Sequence, residues 1–195
     1  LHGEGHSFPT RRSSDLFAVL AYASTASAQI PQSDCQLGVY ADEAGTIQTF
    51  EPTQGEPFTV NVVMRVEGLV TAAAFQLFIP GLGDEVFLLG ESFGIPGRGL
   101  NIMTDGGYNV GIGECAIGFN GLPIVISRHT LVIPGEATNA RTISLGPNTD
   151  SDPDAPAFST CTGDLFLCTI TDNLLLSAPV DTEDSSFGAV KSLYN

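Results

Sequence analysis

An all-β fold, an antiparallel β-sandwich, is predicted by three features of this sequence. Short apolar segments alternate with polar residues at period two, turn residues punctuate them, and no stretch of ten or more residues carries a helical period. With 22 Gly and 12 Pro among 195 residues, breaks fall about every 10 to 15 residues, the spacing of sandwich strands.

The clearest strand is FTVNVVMRV. Phe58, Val60, Val62, Met64 and Val66 share one face, and Thr59, Asn61 and Arg65 share the other, so a half-buried strand is expected. Ala73, Phe75, Leu77 and Ile79 repeat the alternation and end at Pro80-Gly81. Residues 86–89 form a short apolar run, and Tyr108, Val110 and Ile112 alternate again. Beyond Gly113 the apolar phase shifts to Cys115, Ile117 and Phe119, which predicts a bulge or tight turn at Gly113. Residues 122–133, the pair Ile143 and Leu145, residues 165–170 and residues 174–176 supply the remaining strands. Residues 148–157, NTDSDPDAPA, read as a solvated loop. The closing DSSFGAVKSLYN is the one helical candidate: Ser185 or Ser186 would cap a turn that gathers Phe187, Val190 and Tyr194.

HSFPTRRSSDL, residues 6–16, resembles the in-frame translation of a sequencing adapter, so residues 1–16 are expected to be a sequencing artefact. FAVLAYASTASAQ follows, an apolar run with Ala26-Ser27-Ala28 as an A-x-A cleavage pattern, so residues 17–28 are expected to be the remnant of a secretory signal peptide. Residues 30–180 then make a single domain, with 181–195 as a C-terminal tail. Its place is outside the cell or on the cell surface.

From residue 29 onward, 20 acidic residues face five basic ones. Phosphate backbones are bound by clustered Lys and Arg, so nucleic acid is excluded as a partner. No later apolar stretch reaches the roughly 18 to 20 residues of a membrane span. Cys35, Cys115, Cys161 and Cys168 suit two disulfides in an exported chain. Of the three connectivities, Cys161 with Cys168 is favoured because Thr162-Gly163-Asp164 turns the chain between them, which leaves Cys35 with Cys115. A zinc site is disfavoured for want of a C-x-x-C pair and of histidines.

The order FTVNVVMRV, TAAAFQLFIP, PIVISRHTLVIP, ARTISL resembles the strand sequence of cohesin-like modules. That resemblance implies a cohesin-like or immunoglobulin-like jelly roll serving as a binding module, one branch of which grips a calcium-dependent helical partner. LGVYADEAGT (37–46) and SSFGAVKSLY (185–194) are similar to the opening and ending of short secreted bacterial proteins with paired cysteines, a likeness that brings no catalytic residue with it.

Three constellations bear on chemistry. Gly90-Glu91-Ser92-Phe93-Gly94 matches G-x-S-x-G after an apolar run, as a nucleophile elbow would, with His129 as base and Asp105 or Glu114 as its carboxylate. An elbow needs a following helix, and Ile95-Pro96-Gly97-Arg98-Gly99 opposes one. His129 is therefore expected to be a half-exposed strand residue, with Arg128 beside it pairing with surface carboxylates. Asp150, Asp152 and Asp154 stand at the alternate positions that open calcium loops, with Asp164 or Asp172 in support, although Ala155 and Cys161 replace the Gly and Glu of the full pattern. Sugar platforms rely on exposed rings, and this chain has no Trp.

The expected function is a non-enzymatic extracellular module for adhesion, surface assembly or partner binding, with a protein or polysaccharide partner and no catalytic residues. The alternatives are a serine hydrolase using Ser92 and a calcium-stabilised structural domain.

Overall fold

The computed structural model describes residues 32–95, 98–104, 107–118, 122–135, 139–150 and 154–178. Twelve strands and no helix occur among them: β1 (Gln32–Tyr40), β2 (Thr49–Phe50), β3 (Phe58–Arg65), β4 (Gly68–Phe78), β5 (Phe87–Phe93), β6 (Leu100–Thr104), β7 (Gly107–Gly118), β8 (Ile124–Val132), β9 (Arg141–Gly146), β10 (Ala157–Thr160), β11 (Leu165–Asp172) and β12 (Leu174–Leu176). The expectations for residues 1–16, 17–28 and 181–195, including the closing helix, lie outside the described residues.

Hydrogen bonding runs along β2-β12-β9-β4-β10-β11-β1-β3-β8-β5, with β7 on the free side of β4 and β6 beyond it. β4 is the pivot: its first half pairs with β7 and β10, and residues 76–78 pair with β9. The path folds on itself into two layers. β7 then faces β8, and β9 faces β1, without shared hydrogen bonds. Most pairings are antiparallel as expected, but β1 lies parallel to β11 and β2 parallel to β12.

Between the layers sit Leu37, Val39, Val60, Val62, Met64, Phe75, Val110, Ile112, Leu131, Ile143 and Leu174, all buried. The alternation read from 58–66 is observed, with one departure. Asn61 and Val63, on the other face, are buried as well. The turn after β1 lies over Val63: Arg65 donates to the Ala44 and Gly45 carbonyls at 3.0 and 2.6 Å, and Asp42 Oδ1 accepts from the Thr46 and Ile47 amides at 2.8 and 2.7 Å.

The phase shift at Gly113 is a bulge. β7 register passes from Ala72↔Gly111 to Val70↔Ala116, so one residue of β4 faces four of β7. Gly113 has φ +98°, and a Cβ there would lie 2.7 Å from the Arg98 backbone, so only glycine fits.

Both cysteine pairs differ from the expectation. Cys35 is bonded to Cys168 and Cys115 to Cys161, with Cα separations of 4.6 and 5.8 Å. The Thr162-Gly163-Asp164 turn does form, but it is the tip of the β10–β11 hairpin and Cys161 sits within it. Cys168 lies down β11, its amide bonded to the Pro156 carbonyl, so strand register carries it away from Cys161 and against β1. The solvated-loop reading of 148–157 is also corrected at both ends. Asn148 is buried, donating to the Tyr108 carbonyl at 3.0 Å, and Ala157 opens β10.

Candidate functional site

On the outward face of β6, β7, β4 and β10 the strand register lays small residues side by side. Ser159 stands opposite Ala72, Ala72 opposite Gly111, and Gly111 opposite Leu100. One step along, Ala157, Ala74, Asn109 and Ile102 form a second row. Small side chains leave the middle low. Leu100 and Ile102 rise on the β6 side, 64% and 60% exposed, and Leu165 rises from β11, 41% exposed. The result is a trough of about 330 Å³ whose lining carries no charged residue. Leu100 and Leu165 belong to strands four spacings apart, about 19 Å between axes at ~4.8 Å each.

Behind this face, inside the sandwich, runs a chain of polar side chains. Period two puts Ser127 and His129 on the inward side of β8, and register sets Glu91 of β5 opposite His129. His129 Nδ1 is 2.9 Å from Glu91 Oε1, and His129 Nε2 is 2.8 Å from Ser127 Oγ. Tyr108 of β7 crosses from the other layer and donates to the same Glu91 oxygen at 2.8 Å. The tautomer with hydrogen on Nδ1 satisfies the whole chain: the carboxylate accepts from the ring and from Tyr108, and Nε2 accepts from the Ser127 hydroxyl. His129 is edge-on to Tyr108 and Phe93, with ring centroids 5.4 and 6.2 Å away.

The hydrogen bond from His129 holds the Glu91 carboxyl below the usual carboxylate range; burial opposes this and the Tyr108 hydroxyl reinforces it. Burial, followed by the hydrogen bond to Glu91, pushes the Tyr108 phenol up.

The connectivity Ser–His–Glu copies that of a hydrolytic triad, but Ser127 and His129 are both 0% exposed. A substrate carbonyl has no approach to that hydroxyl. The Ser92 reading fares differently again. Ser92 sits within β5, opposite Arg128, and Gly94 follows with φ +52° and its amide on the Ile126 carbonyl at 2.7 Å. The chain then turns, with the Arg98 and Gly99 amides bonded back to the Ile95 carbonyl, where an elbow would need a helix. His129 faces Ser127 instead of Ser92, Glu114 pairs with Arg98 at 3.3 Å, and Asp105 lies outside the described residues. The half-exposed reading of His129 is thus corrected to full burial. Arg128 does pair with a surface carboxylate, Glu43, at 2.7 Å.

Of the calcium candidates, Asp150 donates its amide to Asn148 Oδ1 at 3.0 Å, Asp154 is exposed and Asp152 lies outside the described residues. No group of three or more His, Cys, Asp or Glu able to hold a metal ion occurs among the described residues.

The trough was not among the sequence-derived sites. Leu100-Asn101-Ile102 does show period two, and the Ala72-Ala73-Ala74 run marks a place of small side chains, but only the register joins them.

No protein-family model and no curated protein matches the chain. Among solved structures it is similar to a type I cohesin–dockerin complex, Coh-OlpC–Doc435 from Clostridium thermocellum, with a TM-score of 0.50 at 9% identity over 75% of this chain and 96% of that one. It is also similar to a cohesin module of a Clostridium perfringens family 33 glycoside hydrolase (TM-score 0.47, 9% identity, 75% and 98% of the two chains). A third similarity is to a non-cellulosomal cohesin from Archaeoglobus fulgidus (TM-score 0.45, 14% identity, 84% and 99%). The first of these establishes the shared fold: the chain is a cohesin-like β-sandwich.

Proposed function

We propose that this protein is a non-enzymatic extracellular binding module that takes a protein partner in the trough across β6, β7, β4 and β10. One observation carries the reading: on a chain of net charge −15, this face is uncharged, walled by exposed Leu100, Ile102 and Leu165, and floored by Ala72, Ala74 and Gly111. An exposed apolar patch inside a polar surface marks an interaction site. Its walls are aliphatic, which suits a protein partner better than a sugar ring. The distance between the walls suits the ridge of an amphipathic helix, whose diameter with side chains is about 10 to 12 Å. Two features support the reading: the Clostridium thermocellum neighbour is a cohesin–dockerin complex, and two disulfides are at home in an oxidising compartment such as the cell exterior. Surface assembly and adhesion are the roles such a module would serve.

The test is a selection of displayed amphipathic helices against the purified protein, with the contact face read by NMR shifts. Binders should perturb Ala72, Ala74 and Gly111 and lose affinity at least about tenfold for the Leu100→Asp/Ile102→Asp variant, a change worth ~1.4 kcal/mol. Binders that map to another face, or that ignore the double variant, would overturn the assignment.

A further inference from the structure

A second cavity, of about 360 Å³, opens where β3 turns into β4. Val66, Leu69, Phe158 and Phe166 give it apolar walls, and Asp34 and Glu67 stand in the same lining. The two phenyl rings are stacked, centroids 5.6 Å apart and planes 24° apart. The trough takes Ser159 whereas this cavity takes Phe158 and Thr160, so the two sites lie on opposite faces of β10.

The carboxylates lack an internal counter-charge among the described residues. Arg65 is held by Tyr40 and the Ala44 and Gly45 carbonyls, Arg98 by Glu114, Arg128 by Glu43 and Arg141 by Glu85. A positive charge that meets Asp34 and Glu67 would therefore come from outside this set. A bare divalent cation is poorly served, because calcium takes six to eight oxygens and half of this lining is hydrocarbon. Anions are repelled by the same two groups and by the chain's net charge of −15.

We propose that this cavity receives a lysine or arginine side chain of a protein partner. The methylene stem lies against Phe158, Phe166 and Val66, and the charged head meets Asp34 and Glu67. Long basic side chains combine these two chemistries, an apolar stem and a cationic tip. With the trough on the other face, the module offers two chemically distinct sockets.

The experiment is an NMR titration of the intact protein with Nα-acetyl-lysine amide, set beside Nα-acetyl-norleucine amide, which keeps the stem without the charge. Saturable shifts at Leu69, Phe158 and Phe166 are expected for the lysine probe and not for norleucine. The Asp34→Asn/Glu67→Gln variant should bind the lysine probe about tenfold more weakly, as loss of a charge-assisted contact implies. Leu100→Asp/Ile102→Asp should leave it unchanged, which separates this cavity from the trough. The proposal falls if no saturable shift occurs up to about 50 mM, far above a 1 mM dissociation constant. It falls equally if norleucine binds as well as lysine, or if the carboxamide variant binds as tightly as the parent.

Discussion

Ser127 Oγ lies 2.8 Å from His129 Nε2, and neither side chain reaches solvent. Two residues on one strand face complete each other's hydrogen bonding in the core, and Glu91 completes the far side of the ring. The arrangement is structural, and its energetic signature differs from that of a catalytic triad.

Ser127→Ala strips the Nε2 atom of its donor inside the core. A buried acceptor left alone costs about 1 to 3 kcal/mol, so the denaturant midpoint should fall accordingly. Ser92→Ala should stay within about 0.5 kcal/mol, as surface changes do. Hydrolysis of a p-nitrophenyl ester that vanishes in either variant would refute the structural role.

The Glu91 carboxyl sits below its ordinary range because His129 donates to it, so protons bind the unfolded chain more tightly than the folded one. Its contribution is complete above about pH 4.3 and is lost as pH falls through the lower folded value. In urea titrations between about pH 5 and pH 3, Glu91→Gln should therefore show a shallower loss of stability than the parent.

Tyr108 gives the opposite limb. Burial raises its phenol, so that contribution is whole below the ordinary value of about 10 and drains as pH rises above it. Spectrophotometric titration should show a late-ionising phenol that Tyr108→Phe removes.

Peptide mapping without reduction should link Cys35 to Cys168 and Cys115 to Cys161. The first bridge spans 133 residues and the second 46. In the loop-entropy picture, losing the longer one costs about 1 kcal/mol more, each loss falling within about 2 to 5 kcal/mol. Trypsin leaves Cys161 and Cys168 on one peptide, so the mapping needs cleavage beside Asp164, and a bridge found between Cys161 and Cys168 would contradict the fold.

What the sequence made legible was the periodic part. Phe58, Val60, Val62 and Met64 declared β3 because two-residue alternation needs no partner to be seen, and the phase slip beyond Ile112 declared the Gly113 bulge. β1, β2, β6 and β10 escaped: β6 alternates over Leu100-Asn101-Ile102 alone, and β10 follows an acidic segment. The trough escaped because its rows cross four strands. The cysteine pairing failed on register, since the local turn at Thr162-Gly163-Asp164 is real but carries Cys168 past Cys161. Ser127 was within sight of His129 in the spacing S-x-H, whereas Glu91, 38 residues earlier, becomes its neighbour only through the β5–β8 pairing.

The bridge between β1 and β11 has a mechanical consequence. A pull on residues 32 and 178 enters the chain just before Cys35 and crosses directly to Cys168 through the sulfur atoms. Every residue of the trough lies between those two cysteines in sequence, from Ala72 to Leu165. The load path bypasses that segment, and only residues 32–35 and 168–178 carry tension. A partner seated in the trough would be held on a part of the molecule that stretching does not reach.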